Sequence, residues 1–190
     1  MNLSISNQKK IFRQQIKDIK KTYANEELLA KSKNIFNLLN TLAEIGSANY
    51  ILSYWSLDDE VNTHYWNNQQ FIKGKHLLLP TIKNDELEIR YFEGEEKMVS
   101  TPPFGIKEPT GKVFKNISDI ELIIVPGIAF DYKFHRLGRG KGFYDKFLKK
   151  VKALKIGICF DFQLFNEIPY DDNDELMDII VSESNILRRK

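Results

Sequence analysis

Cysteine, histidine and long apolar runs are scarce in this sequence of 190 residues, and each shortage excludes a class of protein. The single cysteine, Cys159, cannot form an internal disulfide, and its apolar neighbours predict a buried thiol in a reducing compartment. The three histidines are His64, His76 and His135, and their spacing does not suit a metal site. A disulfide scaffold and a histidine-based metal centre are therefore excluded.

The lengths of the apolar runs and the balance of charge argue against a membrane protein and against a nucleic-acid-binding protein. No apolar stretch approaches the roughly 18 residues that span a bilayer, and the N-terminus lacks the basic and then apolar layout of a signal peptide. The 28 Lys and Arg residues nearly balance the 26 Asp and Glu residues, which leaves a formal net charge of +2. We therefore expect a soluble, cytoplasmic monomer that binds small molecules and neither nucleic acid nor membranes.

The order of the predicted elements favours one α/β domain over residues 1–190. Apolar periodicity predicts two amphipathic helices between residues 6 and 40, with a break near Ala24 and Asn25. Buried strands are predicted at 48–54, 75–81, 121–126 and 154–160, a half-exposed strand at 86–92, and helices at 62–73 and 142–152. This order predicts an open, mostly parallel sheet with helices on both faces, a Rossmann-like three-layer fold. Residues 100–116 are predicted to form a long irregular loop, which is more often functional than not.

The densest chemical signal is a glycine-rich segment that follows a strand and runs into a helix. Gly138, Gly140 and Gly142 alternate with Arg139 and Lys141. The backbone can therefore curl and point its N–H groups at an anion while the side chains add positive charge. The spacing matches neither the Walker motif nor the dinucleotide fingerprint. It predicts a polyphosphate site, with a solvated strand-to-helix turn as the alternative.

Charge is strongly segregated in the last third of the chain. Residues 131–155 contain nine Lys or Arg and only two acids, whereas residues 161–178 contain seven acids and no Lys or Arg. Mg²⁺ binds through one or two carboxylates plus phosphate oxygens and water. A carboxylate from each segment would complete a nucleotide site, but the sequence does not establish that the segments meet.

These residues resemble a known signature. The run Arg136-Leu-Gly-Arg-Gly-Lys-Gly-Phe-Tyr-Asp145, preceded by Val125-Pro-Gly-Ile-Ala-Phe-Asp131, closely resembles that of the 5-formyltetrahydrofolate cyclo-ligase (5,10-methenyltetrahydrofolate synthetase) family. Four further motifs match in order: Lys9-Lys-Ile-Phe-Arg13, Asp59-Glu-Val-Asn-Thr63, Phe104-Gly-Ile-Lys-Glu-Pro109, and the acidic motif Ile168-Pro-Tyr-Asp-Asp-Asn-Asp174 with Met177-Asp178. The resemblance implies an ATP- and Mg²⁺-dependent cyclisation of 5-formyltetrahydrofolate to 5,10-methenyltetrahydrofolate, with release of ADP and phosphate.

The resemblance also implies an ATP site. Lys9 and Arg13 lie four residues apart, on one face of the first helix, and would face the phosphates; the alternative is a solvated basic face. Arg139 and Lys141 would be catalytic, because they would neutralise the migrating phosphoryl group. The remaining ATP-binding positions in the loop are Arg136, Gly138, Gly140, Gly142, Phe143 and Tyr144. Phe143 departs from the family, which commonly has tyrosine there.

Carboxylates and aromatic residues complete the implied site. Asp145 and Asp174 match the magnesium positions, and Glu60 matches the position that binds the pterin end of the folate. Glu108 either helps to form the substrate pocket or stabilises a turn. Four aromatic residues could supply flat surfaces for pterin or adenine: Trp55, Trp66, Phe104 and Tyr144. We assign only Tyr144 to the substrate site, because aromatic residues more often belong to the core. His135 is expected to be a solvated loop histidine.

Two alternative functions would also explain a cationic, glycine-rich loop. One is a non-catalytic nucleotide- or RNA-binding module, against which the balanced charge and the lack of an aromatic–basic RNA motif count. The other is a sugar-phosphate isomerase of similar architecture. That enzyme would keep a phosphate loop but would have no use for two magnesium carboxylates or for Lys9 and Arg13.

Overall fold

A seven-stranded sheet forms the centre of the protein. The structure, a computed structural model, describes residues 3–101 and 106–190. Its helices are α1 (Ile5–Lys20), α2 (Asn25–Leu39), α3 (Ala43–Ser47), α4 (His64–Ile72) and α5 (Phe143–Leu148). Its strands are β1 (Tyr50–Leu52), β2 (His76–Lys83), β3 (Glu86–Tyr91), β4 (Met98–Thr101), β5 (Ile106–Pro109), β6 (Leu122–Val125), β7 (Ala129–Asp131), β8 (Arg136–Leu137), β9 (Leu154–Ile158), β10 (Leu164–Phe165), β11 (Ile179–Val181) and β12 (Ile186–Arg188).

The central sheet is mostly parallel and has the order β12-β11-β9-β6-β1-β2-β3. The two strands at its edges, β3 and β12, run antiparallel to their neighbours. The chain leaves β1 through α4 to reach β2 on one side, and β6 later joins β1 on the other side. This reversal of direction opens a crevice at the carboxyl ends of β1 and β6, where open sheets of this kind bind ligands.

Side chains alternate between two apolar clusters on opposite faces of the sheet, as strand geometry requires. In β1, Ile51 packs into one cluster and Leu52 into the other. The first cluster is covered by α2, α3 and α4, and the second by Phe147 and Leu148 of α5. The predicted α/β fold, with helices on both faces, is confirmed.

Helix α1 packs against a second, three-stranded sheet with the order β10-β7-β8. Ile16 of α1 is buried with Ala129, Leu137 and Ile168, and Phe12 makes an edge contact with Phe165 at 5.0 Å between ring centroids. This packing fixes α1 beside the segment that follows β8. It therefore brings Lys9 and Arg13 next to a loop more than 120 residues away in sequence.

Several sequence predictions are confirmed. The break between α1 and α2, the four buried strands and the half-exposed edge strand β3 lie close to their predicted positions. Cys159 is fully buried with a free thiol. The helix predicted at 142–152 is shorter, because α5 ends at Leu148.

The irregular loop predicted at 100–116 is partly wrong. Strands β4 and β5 form an antiparallel hairpin, and an isolated bridge pairs Val113 with Arg90 of β3. Proline and glycine suggested an irregular chain, whereas pairing with distant backbone supplies the hydrogen bonds that sequence periodicity does not reveal. Within the described part of the chain, no helix is both long and apolar enough to cross a membrane.

Candidate active site

One cavity of about 620 Å³ lies at the crevice between the carboxyl ends of β1 and β6. Tyr54 and Trp55 line it after β1, and Pro126 and Gly127 after β6. Every site residue predicted from the sequence lines this same cavity: Lys9, Arg13, Glu60, Glu108, Arg136, Gly138, Arg139, Gly140, Lys141, Gly142, Phe143, Tyr144, Asp145 and Asp174. Folding thus brings together five motifs that are spread over 166 positions of the sequence.

The glycine-rich segment is a loop between β8 and α5, and glycine is required at two of its positions. Gly140 has φ +97° and Gly142, the N-cap of α5, has φ +70°. Residues with a Cβ rarely adopt this left-handed region. Because α5 starts immediately after the loop, the loop and the first three residues of the helix, Phe143, Tyr144 and Asp145, line the same cavity.

Helix α1 contacts the glycine-rich loop through Arg13 and the acidic segment, residues 161–178, through Lys9. Arg13 Nε donates to the carbonyl oxygen of Gly138 at 2.8 Å, and Lys9 Nζ donates to Asp171 at 2.7 Å and to Asp174 at 2.6 Å. Burial alone would lower the pKa of Lys9, but hydrogen bonds to the two carboxylates raise it, so the ammonium stays charged. A solvated basic face is therefore the wrong interpretation of this pair.

Arg136 links the strand β8 to the first turn of α5. Its guanidinium is almost fully buried and donates to Asp145 Oδ1 at 2.6 Å and to the Pro126 carbonyl at 3.2 Å. It also lies over the ring of Tyr144, 5.6 Å from the ring centroid. Burial raises the pKa of Tyr144, so its phenol remains neutral, and its buried hydroxyl has no hydrogen-bond partner among the described residues.

Opposite the loop, Glu60 faces Arg139. Arg139 Nε donates to Glu60 Oε1 at 3.0 Å and its Nη2 pairs with the Asp59 carboxylate. The other oxygen of Glu60 accepts the backbone N–H of Leu57 at 3.1 Å. Glu60 is thus held in place at the cavity wall, and its side chain is only 13% exposed.

A further lysine of α1, Lys20, has a largely buried side chain beside Asp59. Lys20, which sequence reasoning missed, donates its Nζ to the carbonyl oxygen of Asp59, and burial lowers its pKa. The available signal was its helical spacing, because Lys20 lies seven residues after Arg13 on the same face of α1.

Lys141 of the glycine-rich loop is exposed, and no described carboxylate lies within ion-pair distance of it.

Residues 5–183 match the model of the 5-formyltetrahydrofolate cyclo-ligase family. The chain belongs to this family. The match covers nearly the whole sequence and includes every motif that lines the cavity.

Named relatives agree with this assignment to the cyclo-ligase family. A probable 5-formyltetrahydrofolate cyclo-ligase of Schizosaccharomyces pombe is 35% identical over 147 residues, which are 68% of this chain and 72% of the relative. A 5-formyltetrahydrofolate cyclo-ligase of Mus musculus is 25% identical over 96% of this chain and 97% of its own. The solution structure of Aquifex aeolicus 5,10-methenyltetrahydrofolate synthetase superposes with a TM-score of 0.84, at 32% identity, over 95% of this chain and 92% of that one.

The aromatic residues divide between the cavity and the core of this cyclo-ligase family member. Trp55 lines the cavity and stacks on His64 with 4.0 Å between ring centroids. Trp66 is 2% exposed, packs on Phe36 and donates its indole N–H to Asn40, so it belongs to the core. Phe104 lies outside the described residues.

The prediction for His135 is wrong. Its side chain is 13% exposed, its Nδ1 lies 3.0 Å from a buried Asp131 oxygen, and its ring stacks on Tyr170. The surrounding charges in the sequence suggested a solvated loop. A carboxylate four residues earlier and an aromatic ring 35 residues later cover the imidazole instead.

The carboxylates suit a magnesium ion that is bound mainly through phosphate. Asp145 and Asp174 are hard oxygen donors that line the same cavity as the basic loop. Within the described ranges, no group of three or more acidic, histidine or cysteine side chains forms a metal cluster. One or two carboxylates are enough where phosphate oxygens supply further ligands.

Proposed function

We propose that the protein catalyses the ATP-dependent cyclisation of 5-formyltetrahydrofolate to 5,10-methenyltetrahydrofolate, releasing ADP and phosphate. The observation that carries this proposal is the cavity in which the basic glycine-rich loop faces Glu60. Membership of the 5-formyltetrahydrofolate cyclo-ligase family gives the same reaction. A cavity of about 620 Å³ falls within the usual range for small-molecule sites.

The reaction needs ATP because a formamide oxygen is a poor leaving group. The formyl oxygen attacks the γ-phosphorus, its bond to phosphorus forms, and the bond from that phosphorus to the ADP oxygen breaks. The folate N10 then attacks the activated carbon and loses its proton, after which the carbon–oxygen bond breaks and phosphate leaves. Such phosphoryl transfer depends mainly on positioning and charge neutralisation.

The basic residues would do most of this work. Lys9, Arg13 and Arg136 approach the cavity from α1 and β8, and in the proposed complex they bind ATP phosphates together with the loop amides. Arg139 and Lys141 are the proposed catalytic cations, since their charges lie on the loop where the γ-phosphoryl group would move. The other proposed ATP-binding positions are Gly138, Gly140, Gly142, Phe143 and Tyr144.

We assign the remaining polar residues to the folate and to the metal. Glu60 presents a fixed carboxylate that can accept paired N–H donors of the pterin, and Glu108 and Tyr144 line the same substrate space. Asp145 and Asp174 would hold Mg²⁺, which supplies neutralisation of the phosphate charge when it is bound. In the structure Arg136 pairs with Asp145 and Lys9 pairs with Asp174. When Mg²⁺ binds, these two carboxylates would also bind the metal, and the two basic side chains would turn toward the phosphates.

The direct test is spectroscopic, since the methenyl product has a near-ultraviolet absorbance that the substrate lacks. The protein is mixed with 5-formyltetrahydrofolate, with and without MgATP. We expect the absorbance to grow only when both ATP and Mg²⁺ are present. No growth with folded protein would refute the proposal, whereas ATP hydrolysis without the folate would favour a different acceptor.

Location and assembly remain predictions of the same proposal. The buried free thiol of Cys159 suits the reducing cytoplasm. We also predict a monomer with a single domain over residues 1–190 that binds neither nucleic acid nor membranes.

Replacing Gly140 with alanine is expected to weaken MgATP binding by at least tenfold. Its φ of +97° strains any residue with a Cβ by roughly 1–2 kcal/mol, and the added Cβ would lie 3.3 Å from the Arg13 guanidinium. The loop would change shape where its amides are needed. The measurement is titration calorimetry with MgATP.

Gly74→Ala is the matched control for this substitution. Gly74 has φ +80° and lies after α4, away from the cavity, with open space around its missing Cβ. It should lose a similar stability but keep the parental affinity for MgATP. Equal loss of affinity in both variants would show that general strain, rather than the loop, determines binding.

A further inference from the structure

The acidic segment that carries Asp171 and Asp174 is fastened to the loop before β8 by several contacts outside the cavity. Asp131, at the end of β7, is fully buried, and its carboxylate accepts the backbone N–H groups of Lys133 and His135 at 2.9 Å. The same carboxylate accepts the N–H of Ile168 at 3.2 Å. A buried carboxylate needs such partners, so this arrangement has little freedom to change.

His135 continues this connection toward the cavity. Its Nδ1 lies 3.0 Å from Asp131 Oδ2, which fixes the plane of the imidazole. The opposite contact is with Tyr170, whose ring stacks flat on the imidazole at 3.8 Å between centroids and an interplanar angle of 11°. Tyr170 itself is 38% exposed, so the stack holds a surface segment rather than a core residue.

Both members of the stack are sequence neighbours of residues that line the cavity. His135 directly precedes Arg136, and Tyr170 directly precedes Asp171. Asp171 shares the Lys9 ammonium with Asp174, and its backbone N–H donates to Asp174 Oδ2 at 3.0 Å. The stack therefore joins the stretch of chain that leads into Arg136 to the stretch that leads into Asp171 and Asp174.

We propose that His135 and Tyr170 are positioning residues for MgATP, whose ring stack holds the acidic segment against the loop before β8, which leads through Arg136 into the glycine-rich loop. The inference rests on the proposed function, because it takes the cavity to be an ATP site. Neither side chain lines the cavity, so each acts through its neighbour in the chain. The two aromatic rings thereby set the distance between Asp174 and the phosphate-binding loop.

The test compares Tyr170→Leu with Tyr170→Phe, since only the first removes the aromatic face. We expect Tyr170→Leu to raise the Kd for MgATP, measured by titration calorimetry, by about fivefold to tenfold, the usual contribution of an aromatic pair. The KM for 5-formyltetrahydrofolate should change less than twofold. Tyr170→Phe should keep the parental Kd.

A purely structural role would look different. It would lower the melting temperature and the fraction of active protein, but the folded fraction would bind MgATP with the parental Kd. Lys133→Ala is the matched control, because it breaks the exposed pair with Glu167, which joins the same two segments. Such exposed pairs contribute little, so we expect no change in Kd.

Several outcomes would overturn the inference. These are a parental Kd for Tyr170→Leu, an equal loss in Tyr170→Phe, or an equal loss in Lys133→Ala. If Tyr170→Leu does not fold, His135→Asn replaces it, since it keeps a side-chain donor near Asp131 but has no ring, and the same rise in Kd is expected. Product formation by the parental protein tests the proposed function separately. If the parent makes product but the variants bind MgATP with the parental Kd, only the positioning role of the stack is refuted.

Discussion

Replacing Lys141 with alanine is expected to lower the turnover of 5-formyltetrahydrofolate by roughly 100- to 1000-fold, as removal of one preorganised charge-stabilising group does in other enzymes. Lys141 is exposed and pairs with no described carboxylate, so folding does not depend on it. Its charge is available to the phosphoryl group, whereas Lys9, Arg136 and Arg139 are shared with carboxylates. The melting temperature should stay almost unchanged while the rate of product formation collapses.

Lys146→Ala is the control for lost positive charge near the loop. Lys146 is an exposed residue of α5, within five positions of Lys141, but it does not line the cavity. Its variant should retain nearly all of the parental rate. An unchanged rate in Lys141→Ala would remove that lysine from the mechanism, and equal losses in both variants would reduce its role to a general field effect.

Much of this fold was predictable because its central elements bury regular patterns. The apolar spacing of α2 and the continuous apolar runs of β1, β2, β6 and β9 follow directly from which faces must be covered. In α1 only Ile16 is buried, and Ile11 and Ile19 of the same apolar pattern are exposed. The elements that sequence reasoning missed are short: α3 has five residues, and β8 and β10 have two each. Elements of this length have no period to detect, and β10 pairs with β7, 34 residues earlier in the chain.

The candidate site was predictable in its members but not in its contacts. Glycine spacing and clustered charge identified the loop, and the family resemblance added residues such as Glu60 and Asp174. Sequence could not show that α1 packs on the β10-β7-β8 sheet and so brings Lys9 to Asp174 at 2.6 Å. For the same reason it gave no sign that Arg139 would face Glu60 across the cavity, 79 residues apart.

Glu60→Gln is expected to raise the KM for 5-formyltetrahydrofolate by about 100-fold. Each hydrogen bond to a charged group contributes ~1.5–3 kcal/mol, and the amide replaces one acceptor oxygen with a donor that opposes the N–H groups of the pterin. The carboxylate of Glu60 has lone pairs beyond those used by Arg139 and Leu57, so it can accept the pterin as well. Glutamine keeps the size of the side chain and one acceptor for the Leu57 amide, so the fold should survive.

Asp59→Asn separates pterin binding from the loss of a carboxylate beside Arg139. Both acids pair with Arg139, but the side chain of Asp59 is 46% exposed and does not line the cavity, whereas Glu60 is 13% exposed and does. The Asp59 variant should therefore keep a KM within a few-fold of the parent, since exposed ion pairs contribute little. If Asp59→Asn raised the KM as much as Glu60→Gln, the effect would come from a displaced Arg139, and the pterin would have to bind elsewhere in the cavity.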